Sequence, residues 1–558
     1  MKKNKYLLLL SSVGVFALLV YAAVSENFLK EWHTIQSQAR TTEGPIDVRL
    51  RQIVNPSLGT TDRCVTCHLG MSPGETIVSD LRAASAHPPV VHSPAEMGCT
   101  TCHGGQGLAT ERLDAHGDVE FWPEPMLPAR FAYASCGTCH VPLEVPNSER
   151  FELAGRTFER LDCYSCHRLD GRGGTLRTSP STGMEGPDLS QTGIRGFDSG
   201  WYQGHIAKSE ESGSELWAKS FREISEPDQE LLNTFLSLQM GAPRLIEAKA
   251  TYNSVGCAGC HVTGNFGGEI GVDLSRVGEK DPNRLNYSAI EGDHSLSNWV
   301  AQHFRLPLST VEGSQMPDLA LSDDQIDLLT FYMLSLRRRS VPDIWLPKDR
   351  VRSMRFGVRE FSSDPETIYK AVCSACHGAN GGGMRYPGLA PYPSITSREF
   401  LELASDEFIA ATITKGRPGR AMLAWGEREN GLTAEEVGAL VAYIRALGNG
   451  VDFIPDARPR HWAARDPRNG ETIYRANCAG CHGALGEGGE GPALKNAAFM
   501  DAATDTFLFE TIAQGRSGTI MEGFKTPSPV RQALTDSEIE SLVTYLRSLS
   551  ASGKDFGK

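Results

Sequence analysis

No cysteine in this chain stands outside one repeated pattern, and that absence removes two common uses of the residue. All 14 cysteines of the 558-residue sequence fall in Cys-x-x-Cys-His motifs, of which there are seven. Disulfides would suit an even cysteine count in an exported chain, but they give no reason for a histidine after every second cysteine. Structural zinc takes four ligands and usually pairs two Cys-x-x-Cys units, which an odd number of motifs cannot do throughout. An excess of positive charge is also missing: the formal net charge is −13. Nucleic acid is therefore a poor target, and a basic partner a better one. Long apolar runs are scarce too, residues 6–24 giving the one predicted span.

What is present suits one chemistry. Two thiols three positions apart can form thioether bonds to both vinyl groups of a haem, while the adjacent histidine turns its ring to the iron. The sequence therefore predicts seven covalently bound haem c groups. The attachment pairs are Cys64 and Cys67, Cys99 and Cys102, Cys136 and Cys139, Cys163 and Cys166, Cys257 and Cys260, Cys373 and Cys376, and Cys478 and Cys481. The proximal iron ligands are His68, His103, His140, His167, His261, His377 and His482.

Lys2, Lys3 and Lys5 precede the charge-free residues 6–24, which are long enough to cross a bilayer with the positive charge left inside. A cleavable signal peptide has a shorter apolar region ending in a small-residue site, and Tyr21-Ala22-Ala23 matches that poorly. The expectation is a single uncleaved anchor in a bacterial cytoplasmic membrane with the bulk of the chain in the periplasm. Covalent haem attachment, which in bacteria takes place outside that membrane, agrees.

A chain of this length exceeds what one core usually supports. The first three motifs start only 35 and 37 residues apart, too little for a domain around each, so they are expected to share one compact three-haem unit with little regular structure. The other four are each followed by a long stretch. Predicted boundaries are 1–24 for the anchor, 25–60 for a linker, 61–145 for the three-haem unit, then 150–240, 245–338, 361–449 and 465–550 for four helical domains. A basic linker at 339–360 belongs to a run from Arg337 to Arg359, read as a crossing between domains or a contact with haem propionates rather than a docking patch.

The four domains show themselves at their ends. Helix starts at Ser225, Ser322, Thr433 and Thr535 are followed three positions later by Asp228, Gln325, Glu436 and Glu538, a capping box in the last three cases. Apolar stripes follow: Ile326, Leu329, Met333, Leu336; Val437, Leu440, Ile444, Leu447; Ile539, Leu542, Leu546, Leu549. Phe158, Tyr252, Tyr369 and Tyr474 stand just before the motifs on segments that read as helices. An opening helix crossing a closing helix beside one haem is the arrangement these pieces suggest.

This order, helix, motif, Gly-Pro-like loop, methionine-containing loop and capped helix, resembles a class I cytochrome c repeated four times over about residues 150–550. The chain repeats itself internally as well: Gly186-Pro187-Asp188-Leu189-Ser190 is similar to Gly271-Val272-Asp273-Leu274-Ser275, and Glu366-Thr367-Ile368-Tyr369 matches Glu471-Thr472-Ile473-Tyr474. On these repeats the fourth and fifth modules form one pair, the sixth and seventh another. The resemblance implies a methionine as distal iron ligand, and Met316, Met422 and Met521 hold the matching places. The fourth module departs from the pattern. Lys219 aligns with Met316, and His205 aligns with a histidine of the fifth module, so His205, Lys219, Met184 or no residue completes that site. The text around His87, His92 and the second motif resembles small multihaem cytochromes with paired histidines. Three histidines, His87, His92 and His116, are available for three irons, with His33 as a substitute.

Taken together, the chain resembles the membrane-anchored cytochrome c subunits of bacterial quinol-oxidising complexes, respiratory or photosynthetic. The resemblance implies electron relay from a membrane-embedded quinol-oxidising partner to a soluble cytochrome or terminal reductase in the periplasm. An alternative is a multihaem reductase or peroxidase with an open or unusually ligated fourth haem.

Overall fold

The computed structural model describes residues 2–72, 74, 76–78, 84–88, 90–174, 186–195, 224–428 and 430–551. These residues are mainly helical, and their paired strands form three short two-stranded antiparallel ribbons. The chain divides into two units. One holds residues 1–140, 276–301 and 333–351; the other holds 141–275, 302–332 and 352–558.

The first unit begins with the helix Lys2–Val24, whose leucines, valines and Phe16 are all exposed. Among the described residues one helix is long and apolar enough to cross a membrane, and this is its apolar part. A π-helical turn, Ser25–Leu29, leads to the helix Glu31–Gln38. There Lys30 bridges Glu26 (3.0 Å) and Glu111 (2.5 Å). Buried Gln36 then does the work of an element. Its amide donates to the carbonyls of Arg49 and Thr66, both at 2.9 Å, while its oxygen accepts from the Arg49 N–H and the Arg51 guanidinium. Polar groups taken out of water need such partners, and these fix the chain around the first motif. Asp62, fully buried, does the same for the second motif, accepting from the N–H groups of Cys99 and Thr100 and from the Thr100 hydroxyl.

The stretch expected to form one domain at 245–338 contributes to both units. Its residues 276–301 and 333–338 join the first, where Gly278 N–H donates to Leu336 O (3.1 Å) and Arg338 N–H to the Glu279 carboxylate (2.6 Å). The basic run is divided among local partners. Arg339 pairs with Glu124 at 2.6 Å, and buried Arg350 donates to the Arg337 carbonyl. In the second unit Arg359 forms an ion pair with Glu436.

Four modules make up the helical text. Opening helices are Ser148–Arg160, Pro243–Val255, Pro365–Ile368 continued by the π-helical Tyr369–Cys373, and Pro467–Asn477; closing helices are Glu226–Ser237, Asp323–Ser335, Ala434–Leu447 and Asp536–Ala551. The caps form as the spacing predicts, reciprocal between Ser322 and Gln325, Thr433 and Glu436, and Thr535 and Glu538. At Ser225 the hydroxyl accepts from Asp228 N–H. In every module an aromatic ring of the opening helix packs on one from the closing helix: Phe158 on Phe235 (5.2 Å between centroids), Tyr252 on Tyr332 (4.9 Å), Tyr369 on Tyr443 (5.4 Å) and Tyr474 on Tyr545 (5.5 Å). The four opening-helix rings are at most 2% exposed. Burying each such ring is worth roughly 3 kcal/mol, enough to decide how two short helices cross.

The sixth and seventh modules meet through a reciprocal cluster. Phe408 stacks on Phe507 at 4.7 Å, and the outer rings Phe400 and Phe499 each sit 6.3 Å from the inner ring of the other module. Arg417 lies over Phe408 and Phe499, Arg516 over Phe507 and Phe400. Each module thus contributes the same residues at corresponding places, and burial takes both guanidiniums down to about 10.

Candidate haem sites

In six of the motifs the histidine N–H donates to the carbonyl of the first cysteine, as from His167 to Cys163 or His482 to Cys478 at 2.9 Å. In the four modules the next step is the same each time. The ring Nδ1 meets a loop carbonyl: Pro187 for His167 (2.9 Å), Val272 for His261 (2.8 Å), Pro393 for His377 (2.9 Å) and Pro492 for His482 (2.8 Å). A carbonyl can only accept, so Nδ1 carries the proton and the Nε2 lone pair is left for a metal. Burial lowers the pKa of His261, His377 and His482, opposed in each case by that carbonyl, and the rings stay neutral.

The ring also needs space, and three glycines give it. A Cβ placed on Gly186, Gly271 or Gly491 would lie 2.6, 2.4 or 2.8 Å from Cε1 of His167, His261 or His482. This explains the repeated Gly-Pro-like text: the glycine admits the ring and the next residue supplies the carbonyl. The sequence shows the repeat, but the role of the carbonyl is visible only in three dimensions.

In the first unit each of the three candidate distal histidines faces a motif histidine. His116 lies 6.4 Å from His68 between ring centroids, His87 6.1 Å from His103, and His92 6.2 Å from His140. Two imidazoles on one iron, each at a metal–nitrogen distance of roughly 2.0 Å, place their centroids a little over 6 Å apart. The three separations fit one iron per pair. Burial, with His92 beside it, takes His140 down to about 4, so it too is neutral at neutral pH. His33 is placed otherwise: its ring lies 3.8 Å from Trp32 and 6.2 Å from Phe28.

The methionine loops of the sixth and seventh modules fold alike. Arg417 N–H donates to Met422 O (2.7 Å) and Arg516 N–H to Met521 O (2.8 Å), closing matched loops after Gly416 and Gly515. Both glycines have positive φ and sit against the returning strand of the loop, where a side chain would collide. Met316 lies in the segment before its capped helix, its N–H on the Ser314 hydroxyl. The three methionines are partly buried. Met184, His205 and Lys219 lie outside the described residues.

Attachment pairs followed by an iron-facing histidine, carried on small two-helix modules, define a c-type cytochrome, and their repetition makes this chain a multihaem one. The comparisons agree. Residues 246–337 and 467–550 match the cytochrome c family, and residues 362–444 match the family described as cytochrome c oxidase, cbb3-type, subunit III. The CcoP subunit of a cbb3-type cytochrome c oxidase from Azospirillum sp. (strain B510) is 28% identical over 237 residues, 39% of this chain and 70% of the relative. A FixP subunit from Bradyrhizobium diazoefficiens is 29% identical over 178 residues, 30% of this chain and 56% of its own length. Cytochrome c-L of Methylorubrum extorquens is 34% identical over 84 residues, 15% of this chain and 39% of that protein. A solved reducing HAO-like protein complex of Kuenenia stuttgartiensis overlaps 33% of this chain and 95% of its own, at 20% identity and a TM-score of 0.24, too loosely to bear on the fold.

Proposed function

We propose that the chain is a membrane-anchored, periplasm-facing seven-haem electron relay, taking electrons from a membrane-embedded quinol-oxidising partner and delivering them to a soluble cytochrome or terminal reductase. The observation that carries the reading is the pair of site types. Three histidine pairs stand at one-iron separation, and four histidines have Nδ1 held by a carbonyl. When bound, haem c supplies a one-electron carrier whose potential follows its axial ligands and surroundings.

The residues would then act by ligation and positioning. Cys64 through Cys481 attach, the seven motif histidines ligate, and His116, His87 and His92 complete the first, second and third sites. Met316, Met422 and Met521 complete the fifth, sixth and seventh. Paired histidines generally give lower potentials than histidine with methionine, so electrons would run from the three-haem unit toward the carboxy-terminal modules. The relatives are named as subunits of cbb3-type oxidases, which supports work within a membrane respiratory complex. An anchor at residues 2–24 and an acidic surface that attracts a basic carrier fit the same role.

The test is haem stoichiometry and reduction by quinol in native membranes. Mass spectrometry of the purified chain should show seven haem additions, and quinol should reduce the cytochrome only while its membrane partner is present and uninhibited. Fewer additions would end the seven-haem count; reduction that ignores the partner would end the relay assignment.

A further inference from the structure

We propose that the fifth and sixth haem sites form one closely coupled electron-exchange pair, its spacing set by a glycine-lined junction where Cys260 meets Cys376. The inference deepens the relay reading and rests on it. The side chains of Cys260 and Cys376 lie against each other at the junction, where the backbones of the two motifs also come together. With haem attached these atoms would be thioether sulfurs, so their proximity would bring the attachment points of the two haems together.

The backbone around this contact has no room to spare. A Cβ on Gly259 would lie 2.8 Å from the Val372 carbonyl oxygen, and one on Gly256 would lie 2.9 Å from the Ala375 nitrogen and 3.0 Å from its Cβ. A Cβ on Gly268 would meet Leu423, the neighbour of Met422, at 2.8 Å. Around the rim, Phe266 of the fifth module packs on Phe361 at 4.4 Å and lies 6.0 Å from Trp425, with Arg359 over its face. On the sixth-module side the Tyr392 hydroxyl lies beside the Cys376 sulfur, and Tyr386 donates to Ala375 O at 2.7 Å. Glycines inside the motif at Gly259 and just before it at Gly256 therefore permit a close approach that any side chain would open, as packed interiors transmit such strain.

The internal repeats pair the fourth module with the fifth and the sixth with the seventh, so this junction joins members of different repeat pairs. The sixth and seventh modules meet through a different surface, the Phe408 and Phe507 cluster. Electron tunnelling weakens steeply with edge separation, so the fifth-to-sixth step is the one these glycines control. One electron passes per event, oxidising the fifth centre as the sixth is reduced, with no bond or proton changed.

The experiment uses the full-length holoprotein and compares Gly259→Ala and Ala375→Leu with wild type. Both leave the Cys-x-x-Cys-His chemistry intact and enlarge opposite sides of the junction. Gly438→Ala, with open space around the added carbon, is the control. Closely coupled haems give a two-signed Soret circular dichroism band. The wild-type-minus-variant spectrum should show such a band for both junction variants and none for the control, at unchanged haem count. Junction spectra superimposable on wild type would overturn the proposal, as would loss of haem from both variants, which would make the glycines determinants of folding alone. A retained couplet in a protein that passes no electrons would count against the relay reading instead.

Discussion

His92 and His140 face each other across a gap of one-iron size while His33 leans on Trp32, and this difference is testable at single residues. Replacing His92 by alanine should leave the haem count unchanged and produce a high-spin ferric signal in electron paramagnetic resonance; His33→Ala should not. The reverse result would exchange the two histidines' roles. In the same way Met422→Ala or Met521→Ala should lower one midpoint potential and remove intensity from the methionine–iron absorption band, and an unchanged band would remove that residue from the ligand set.

Asp505 carries a stability prediction. It is 1% exposed, and burial alone would raise its pKa; the Ala463 N–H, the Arg547 guanidinium at 2.8 Å and the His461 ring outweigh that and hold it below the ordinary carboxylate value. A group depressed in the folded state contributes stability above its unfolded pKa, near 3.9, and loses it as pH falls through the lower folded value. Arg547→Leu would leave the carboxylate buried beside lost charge and should cost about 3 kcal/mol. Thermal melts should show that deficit at neutral pH and a smaller one in acid; a deficit that does not change with pH would assign Arg547 to packing alone.

At the scale of elements, the loop after the motif in each of the four modules is a ring holder. Gly491→Ala should tilt the His482 ring away from its place, since the new carbon would lie 2.8 Å from Cε1. Gly480→Ala, inside the same motif with nothing within 4 Å, should be silent. A drop in haem content or a shifted seventh-site potential for Gly491→Ala only is the expected outcome, and equal behaviour of the two variants would contradict it. The sequence announced this loop by repeating Gly186-Pro187 as Gly271-Val272, and it announced the helices that flank it. Caps at Ser322, Thr433 and Thr535 and the rings at Phe158, Tyr252, Tyr369 and Tyr474 were legible because both follow from local spacing. The carbonyl that holds each Nδ1 was not, for any residue offers a carbonyl and only the fold aims it. Pairing of His116 with the first motif, past the second, was hidden for the same reason: contact across nearly fifty residues leaves no periodic trace.

For the whole molecule, the proposed ligand sets divide the centres into two groups, and the proposed division has a direction. Potentiometry of the intact protein followed by electron paramagnetic resonance should resolve a low-potential group carrying paired-imidazole signals and a higher group carrying histidine–methionine signals. Substitution at His87, His92 or His116 should perturb only the low group, and substitution at Met316, Met422 or Met521 only the high one. The charge of −13 acts on the other end of the path. If the acceptor is a basic carrier drawn by that field, its reduction rate should fall as salt rises and the Debye length shortens from about 10 Å at 0.1 M toward 3 Å at 1 M, while electron exchange inside the chain stays unchanged. The proposed internal exchange runs through fixed contacts such as Cys260 with Cys376, which salt does not screen. A delivery rate indifferent to ionic strength would mean that the acceptor is held in place by the complex rather than captured from solution, and a low-potential group answering to the methionine variants would reverse the proposed direction of flow.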